Sequence, residues 1–386
     1  MYLDVWERLA SAVEDDSIRE SALGGPDTSA RAQVVWRVRA DNVKERIGHI
    51  NAEIVTLNAR MQAIQVKQPV DAAEIGRLTG QVQVLQGKLT DVTKLTCDGV
   101  TGGLRAMSDA TLRARVKQSD AVQDPCVQSP DAKYRGAENR LYRIEVHRGG
   151  KVWDGTPDGK KTAATFKWSR DNGSGLARWL PPQEGDDTHS IRLSRSYSFA
   201  PGSWEWVELT DDAIELEGQL GQLAKVAQVD GDTLRLTDPA AIPSLSRNPK
   251  VRRWDHRETE DTVLFDGAIP IKEGSGQWLD IEDGIQVLFE PNGEYVAGDY
   301  WLIPARVASG GIEWPVEKDA MGNPRQDANG PVMAAKSPQG VEHHYAPLGI
   351  LDVEGNTVNI YVPDCRCEIE RSVVCPPPAP APVPKP

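Results

Sequence analysis

The stretch from Glu138 to Ser174 constrains the fold most, because its two halves have the periodicity of β-strands. Apolar and polar residues alternate over Leu141–His147 and again over Ala164–Arg170, the pattern of strands with one buried and one solvated face. The segment between them is rich in Gly and Asp, and Asn172-Gly173 follows the second half as a strong turn signal. We therefore predict two paired strands of a β-rich domain, without a catalytic motif in either.

Short alternating segments punctuated by Gly, Asp and Pro recur along most of the chain. They predict further strands at 1–7, 34–39, 190–198, 204–209, 220–229, 233–236, 251–254, 278–290, 298–306, 348–352 and 357–362. The expected fold is mainly β, a compact barrel or sandwich of short antiparallel strands. Residues 96–137 are polar and are expected to form a loop with one short helix near 109–117.

Two apolar series with alternating spacings of three and four predict a pair of helices inserted into this β fold. The series are Ile47, Ile50, Ile54, Leu57, Met61, Ile64 and then Ile75, Leu78, Val82, Leu85, Leu89, Val92. Pro69 interrupts them, and Asp71 with Glu74 resembles a capping box that starts a second helix. We predict an antiparallel α-helical coiled-coil hairpin.

This helical arm has two open interpretations. It is either a structural insertion whose seam is buried within the hairpin, or a docking or oligomerisation arm that a partner helix completes. The candidate interaction residues are Ile47, Ile50, Ile54, Leu57, Leu78, Val82 and Leu85.

Three regions are expected from these patterns. Residues 1–40 and 96–365 form a β-rich core domain, residues 41–95 form the helical arm, and residues 366–386 form a Cys- and Pro-rich linker. Because the chain begins within a strand pattern and ends in an extended polyproline segment, we expect it to be one module of a longer protein.

The net charge of -13 and the pI near 5.1 exclude a nucleic-acid-binding surface, which needs clustered Lys and Arg. The sequence contains neither a long apolar run nor a signal-peptide pattern. We therefore expect a soluble protein without membrane insertion. The compartment is left open, with a cytoplasmic assembly or a released particle favoured over classical secretion.

Tryptophan usage is unusual, with 11 Trp against 4 Phe. Indole rings suit half-buried strand faces, so packing is the first interpretation, and a sugar-binding platform is the second. Four tryptophans are the candidate contacts for a glycan or a protein partner: Trp168, Trp204, Trp206 and Trp301.

The five cysteines do not make a disulfide-built fold. Cys97 and Cys126 either pair or are two small buried residues. Cys365, Cys367 and Cys375 supply three thiolates where a tetrahedral zinc site needs four ligands. We therefore predict no metal and no cofactor.

The sequence contains no nucleophile, phosphate-loop or dinucleotide motif. His343 and His344 are adjacent on a strand and point to opposite faces, so they do not chelate one metal. Acidic neighbours are expected by chance among 57 acidic residues, and they occur at 186–187, 211–212 and 258–261. These features predict a protein that is not an enzyme.

The motifs YLDVWER, ALGGPDT, ENRLYRIEVH, ATFKWSRDNGS, LRLTDP, RRWD, IEDGIQVLFE and GDYWLIPAR occur in this order. With them the chain resembles an uncharacterised bacterial family carried as a domain of unknown function. The late segment HHYAPLGIL is similar to one in tail-fibre and baseplate proteins of phages and contractile injection systems. The resemblance implies no catalytic residue, because the family has no assigned site.

These observations together predict a non-enzymatic structural or interaction module. We expect an attachment, baseplate or fibre domain of a phage-tail-like particle or of a large surface protein, with other protein subunits as partners. The alternative is a carbohydrate-binding module or carbohydrate-active enzyme that uses exposed Trp and acidic residues.

Overall fold

Antiparallel β-strands dominate the structure, which is a computed structural model. It describes residues 1–10, 12–19, 22, 31–66, 72–97, 99, 104, 108–117, 133–183, 187–194, 205–240, 247–259, 262–274, 276–327, 330–354, 357–361 and 365. The helices are α1 Val43–Val66, α2 Ala72–Thr93 and α3 Asp212–Glu217. The first strands are β1 Tyr2–Ala10, β2 Arg31–Arg39, β3 Leu112–Val116, β4 Arg140–Arg148, β5 Thr165–Ser169, β6 Leu176–Arg178, β7 Ser190–Arg192, β8 Trp206–Thr210, β9 Gln222–Asp230, β10 Thr233–Leu236 and β11 Lys250–Trp254. The remaining strands are β12 Ile269–Pro270, β13 Leu279–Asp280, β14 Ile285–Phe289, β15 Tyr300–Arg306, β16 Gly311–Ile312, β17 Gln326–Asp327, β18 Gly330–Pro331, β19 His343–Pro347, β20 Ile350–Glu354 and β21 Thr357–Tyr361. The expectation of a mainly β fold is confirmed, whereas the choice between barrel and sandwich stays a prediction.

The chain divides into two compact units. Unit 1 comprises Met1–Val5, Trp36–Arg105 and His343–Pro386, and unit 2 comprises Trp6–Val35 and Ala106–Glu342. The domain boundaries predicted from the sequence, with 41–95 as a separate arm and 366–386 as a linker, stay a prediction.

A five-stranded sheet in the order β12-β5-β4-β15-β16 forms the centre of unit 2. Strand β4 pairs antiparallel with β5, with Ile144 opposite Trp168, so the strand pair predicted from 138–174 is confirmed. Asn172 and Gly173 both have positive φ, of 54° and 67°, which fits the turn predicted after β5.

A three-stranded sheet in the order β13-β14-β3 shares its core with this five-stranded sheet. Ala114, Val287 and Phe166 belong to one buried apolar cluster that joins the two sheets. The short helix predicted near 109–117 is wrong, because this segment forms β3 and pairs with β14. Leu112 and Ala114 are fully buried at alternate positions, which is the period of a strand and not of a helix.

The other large sheet of unit 2 has six strands in the order β6-β11-β8-β9-β10-β7. It has its own buried cluster, which includes Ile191, Val207, Leu234 and Val251. Strands β9 and β10, which the sequence predicts at 220–229 and 233–236, pair antiparallel.

Both predicted helices are present in unit 1. Their seam is closed by buried side chains from both helices, namely Ile50, Leu57, Leu78, Val82 and Leu85. Arg60 near the end of α1 pairs with Glu74 near the start of α2 at 2.8 Å. The description as a coiled-coil hairpin stays a prediction. Among the described residues, no helix is a candidate for a membrane span.

A disulfide joins Cys97 to Cys365 in unit 1 across 268 residues of sequence. This pairing corrects the interpretation in which Cys97 pairs with Cys126, and it leaves Cys365 without a free thiolate. The other three cysteines lie outside the described residues. Strands β19, β1 and β2 form a three-stranded sheet in this order.

We predict that replacing both Cys97 and Cys365 by Ser lowers the free energy of unfolding by about 2–5 kcal/mol, because the cross-link restricts the unfolded chain. Guanidinium denaturation without reductant measures this loss. Dithiothreitol should lower the stability of the unmodified protein to that of the double variant and leave the variant unchanged. A wild-type unfolding curve that does not respond to reductant would contradict the assignment.

Candidate ligand-binding cleft

Of the four tryptophans chosen from the sequence, the three that the structure describes are not exposed platforms. Trp168 and Trp301 are 4% and 2% exposed and belong to the core cluster of unit 2. Trp206 is half-buried and stacks on the ring of His256 with a centroid distance of 5.8 Å. Trp204 lies outside the described residues. None of the three described rings therefore offers an open face to a ligand.

Gly267 explains the burial of Trp206. This glycine has a φ of 83°, and a Cβ atom there would lie 2.6 Å from Cζ3 of Trp206. The absence of a side chain lets the backbone approach the indole closely. Trp206 is thus a packing residue between this turn and β8.

The candidate interaction residues of the helices are used within unit 1. Ile50, Leu57, Leu78, Val82 and Leu85 are buried between α1 and α2, Ile54 packs against them, and Ile47 is half-buried. The seam is therefore filled by the two helices themselves. This geometry favours the structural interpretation of the arm over a seam that waits for a partner helix.

A cleft of about 560 Å³ opens on unit 2 and is called the Trp153 cleft below. Four chain segments form it: the connection between β4 and β5, the residues before β12, the segment that starts at the end of β12, and the turn after β14. Its lining residues are Val152, Trp153, Val263, Phe265, Pro270, Ile271, Lys272, Glu273, Gly274, Gln277 and Pro291.

Trp153 is held on the first wall by a hydrogen-bonded loop. Its Nε1 donates to the carbonyl of Thr156 at 2.7 Å. The carboxylate of Asp154 accepts from the backbone N–H and the hydroxyl of Thr156 at 2.9 and 2.8 Å, and these bonds hold the pKa of Asp154 below its ordinary value. The ring is nevertheless 40% exposed. The loop thus fixes an aromatic ring and leaves part of it open to solvent.

Phe265 and Lys160 complete this wall. The rings of Trp153 and Phe265 are perpendicular, with an interplanar angle of 89° and centroids 5.4 Å apart. The Nζ of Lys160 lies 5.5 Å from both centroids, within the range of a cation–π contact. Asp266, in the turn after Phe265, pairs with Arg148 at 2.8 Å, which ties this turn to β4.

Glu273 is the acidic residue of the lining, and its oxygens are already engaged. They accept from the backbone N–H groups of Asn292 and Gly293 at 2.7 and 2.9 Å and from the hydroxyl of Tyr295 at 2.9 Å. Burial raises the pKa of the Tyr295 hydroxyl, and the charge of Glu273 raises it further. Glu273 therefore anchors the turn after β14. The adjacent Gly274 has a φ of 132°, which only glycine adopts without strain.

The cleft combines an exposed indole, a buried phenyl ring and the polar ends of Lys272 and Gln277, with the ammonium of Lys160 over the two rings. Such a mixture of apolar walls and a few polar groups is typical of small-molecule sites. Trp153 is not among the residues chosen from the sequence, because it lies in the turn region between two predicted strands. A tryptophan flanked by Gly150, Gly155 and Pro157 is, in retrospect, the signal of an aromatic ring held in a loop.

A second candidate is a buried polar centre between the two large sheets of unit 2. The Nζ of Lys167, on β5, lies 2.7 Å from Oε1 of Glu208 and 3.3 Å from Oε1 of Glu145. Nε1 of Trp254 donates to the other oxygen of Glu208 at 2.9 Å. Burial acts to raise the pKa of Glu208, but the Lys167 ammonium holds it below its ordinary value. The centre is enclosed, and its charges satisfy one another.

Two buried histidines adjoin this centre. His256 donates from Nε2 to the carbonyl of Gly267 at 2.7 Å. The Nδ1 atoms of His147 and His256 are buried without a hydrogen-bond partner among the described residues. Burial lowers the pKa of each ring to about 4, and the charge of Lys167 contributes in the same direction. Both rings are therefore neutral near pH 7.

A third candidate is the group of Glu14, Asp212 and Glu215, whose oxygens lie close enough to hold a metal ion. The ammonium of Lys250 already occupies this position, 2.6, 3.2 and 2.5 Å from the three carboxylates. Burial works against the charged form, but the carboxylates keep the pKa of Lys250 above its ordinary value. This arrangement is an internal ion-pair cluster.

The acidic neighbours noted in the sequence are also engaged where they are described. Asp187 pairs with Arg235, Glu258 pairs with Lys225, and Asp211 accepts from the N–H of Ile214 at the start of α3. Asp186, Glu260 and Asp261 lie outside the described residues. His343 bonds to Asp4 through Nδ1 at 2.6 Å. The Trp153 cleft therefore remains the best candidate among the described residues.

The family of unknown function DUF6519 matches residues 1–378 of the chain. The chain belongs to this family. The family resemblance inferred from the sequence motifs is thereby confirmed, whereas the similarity of HHYAPLGIL to tail-fibre and baseplate proteins gains no support. No curated protein and no solved structure matches the chain. The function of this DUF6519 member is therefore inferred from its own structure.

The buried histidines predict a pH dependence of stability. An unfolded histidine binds its proton near pH 6.5, whereas His147 and His256 bind theirs near pH 4 in the folded protein. The unfolded state therefore holds more protons between these values, and stability decreases as the pH falls through this window. Between pH 6.5 and 5 the loss is about 2 kcal/mol for each histidine.

We predict that His147→Gln reduces the loss of unfolding free energy between pH 7.5 and pH 5 by about 2 kcal/mol, because Gln does not titrate. Urea denaturation of both proteins at the two pH values measures the difference. The comparison remains valid even if the variant is less stable at every pH, since only the change in unfolding free energy between the two pH values is compared. An equal loss in the two proteins would contradict a neutral buried His147.

Proposed function

We propose that this protein is a non-enzymatic attachment module that binds a carbohydrate in the Trp153 cleft. The observation that carries the proposal is the indole of Trp153, which is 40% exposed although its Nε1 is fixed to Thr156. The C–H face of a sugar ring packs on an aromatic face, while the sugar hydroxyls remain free for hydrogen bonds. A fixed ring binds with little loss of side-chain entropy.

The dimensions of the cleft support this proposal. Its volume of about 560 Å³ lies within the range of about 300–1,000 Å³ found for ligand sites. Lys272 and Gln277 offer donors and an acceptor at the lining, beside the apolar faces of Val263 and Phe265. A sugar presents the same alternation of apolar ring faces and polar edges.

The state of Glu273 supports binding rather than hydrolysis. Most glycosidases use two carboxyl groups that flank the scissile bond. Among the described lining residues Glu273 supplies one, and its oxygens accept from Asn292, Gly293 and Tyr295. The proposed function is therefore recognition without chemistry.

The Cys97–Cys365 disulfide supports a role outside the reducing cytoplasm, because disulfides persist in oxidising surroundings. An attachment domain of a released particle or of a surface protein meets this condition. The more specific proposal, a subunit of a phage-tail-like or contractile injection particle with other subunits as partners, rests on the HHYAPLGIL segment alone. Genes for sheath, tube and spike proteins beside this gene would support it.

We predict that the protein binds members of a glycan array and that Trp153→Ala weakens this binding at least tenfold, because the sugar loses its apolar contact. Trp36→Ala is the matched control, since Trp36 is 67% exposed on β2 and is not part of the cleft. It should bind as the wild type does. Thermal unfolding of both variants checks that the fold is retained.

Two results would contradict the proposal. One is the absence of any glycan bound by the wild-type protein. The other is a Trp153→Ala variant that binds as tightly as Trp36→Ala.

A further inference from the structure

We infer that the carbohydrate bound by the Trp153 cleft carries a negatively charged group, which Lys160 and Lys272 recognise. This inference rests on the proposed function and adds the class of ligand. It follows from the charges around the cleft, where two ammonium groups form no ion pair with any described residue and the lining carboxylate, Glu273, already accepts three hydrogen bonds.

Lys160 is placed beside the rings by a short 3-10 helix that spans Asp158–Lys161. Its Nζ lies 5.5 Å from the centroids of Trp153 and Phe265. The described residues contain no carboxylate within ion-pair distance of this Nζ. A ligand that packs on Trp153 would therefore meet the positive charge that lies over this ring.

Lys272 lies on a different segment of the same cleft, directly after the buried Ile271. Its side chain is exposed, and within the described parts of the chain it forms no ion pair. The two cations thus come from segments more than a hundred residues apart in sequence. Lys272 lines the cleft, and Lys160 lies over two of its lining rings, so we expect an anionic ligand in the cleft to be attracted by both charges.

The described carboxylates near the cleft do not neutralise these cations. Glu273 is engaged by Asn292, Gly293 and Tyr295, and Asp154 is engaged by Thr156. Asp266 forms its ion pair with Arg148, at 2.8 Å. Glu273 and Asp154 keep their negative charges, because their partners are neutral donors, but no described carboxylate pairs with Lys160 or Lys272. These two ammonium groups can therefore attract an anion on a chain whose net charge is -13.

The negative group of the sugar is a carboxylate or a sulfate, since an ammonium pairs with either. Both contacts would be partly exposed, so each is expected to raise the affinity by only about two- to threefold and to weaken in salt. Two of them amount to a preference of about three- to tenfold for the anionic sugar over its neutral counterpart. The stacking on Trp153 supplies the part of the affinity that does not depend on charge.

The test is isothermal titration calorimetry of the full chain with three oligosaccharides of similar length. They are trigalacturonic acid, a sulfated galacto-oligosaccharide and neutral galactotriose. The variants are Lys160→Gln and Lys272→Gln, with Lys161→Gln as the matched control, because Lys161 is adjacent to Lys160 and its loss changes the net charge equally.

We expect at least one anionic oligosaccharide to bind three- to tenfold more tightly than galactotriose at low salt. Lys160→Gln and Lys272→Gln should each reduce this preference two- to threefold, and 0.5 M NaCl should remove most of it. Lys161→Gln should retain it. The carboxylate and sulfate ligands distinguish the two sources of charge.

Three outcomes would overturn the inference. Equal or tighter binding of galactotriose, lost in Trp153→Ala, would refute the anionic class and leave the proposed carbohydrate function intact. A preference for anions that Lys161→Gln removes as strongly as Lys160→Gln would indicate general charge attraction. Binding of no oligosaccharide here, together with an empty glycan array, would refute the proposed function and the inference together.

Discussion

The buried ammonium of Lys167 is the interaction on which the arrangement of unit 2 depends. It is 3% exposed and joins β5 of the five-stranded sheet to Glu208 on β8 of the six-stranded sheet. A charge in such a place is tolerated only with close partners, and removal of one partner costs about 3–5 kcal/mol. Trp254 lies beneath this ammonium, with its ring centroid 4.4 Å from Nζ. The ion pair therefore favours one position of the five-stranded sheet relative to the six-stranded sheet.

The Trp153 cleft is a consequence of how β5 is held. The strand starts at Thr165, directly after the connection that carries Trp153 and Lys160, and Thr165 pairs with Pro270 at the edge of the cleft. On the other side of the strand pair, β4 ends at Arg148, which binds the turn that presents Phe265. The walls of the cleft are thus connections and turns that are anchored to this strand pair. A site built in this way binds its ligand with little rearrangement.

The sequence predicted the local elements well and the long-range ones poorly. Strands β4 and β5 and the two helical apolar series follow from periodicity over many residues, which is the strongest signal that a sequence contains. The segment 112–116 was predicted as helix because five residues rarely distinguish two periods. Its burial under β14, 170 residues later, decides the matter.

The prediction of functional residues from the sequence has the same limit. Tryptophans in predicted strands were chosen as exposed platforms, yet strand faces are where Trp168 and Trp301 enter the core. The Cys97–Cys365 disulfide and the cleft join segments that are far apart in the chain. Spacing along the sequence carries no information on such long-range contacts, since they depend on how the chain packs.

The most direct test of the central claim is a crystal structure of the protein with a bound oligosaccharide from the calorimetric series. The account predicts a sugar ring stacked on the exposed face of Trp153, with its charged group close to Lys160 or Lys272. A sugar bound elsewhere on the protein, with the Trp153 cleft open to solvent, would contradict it.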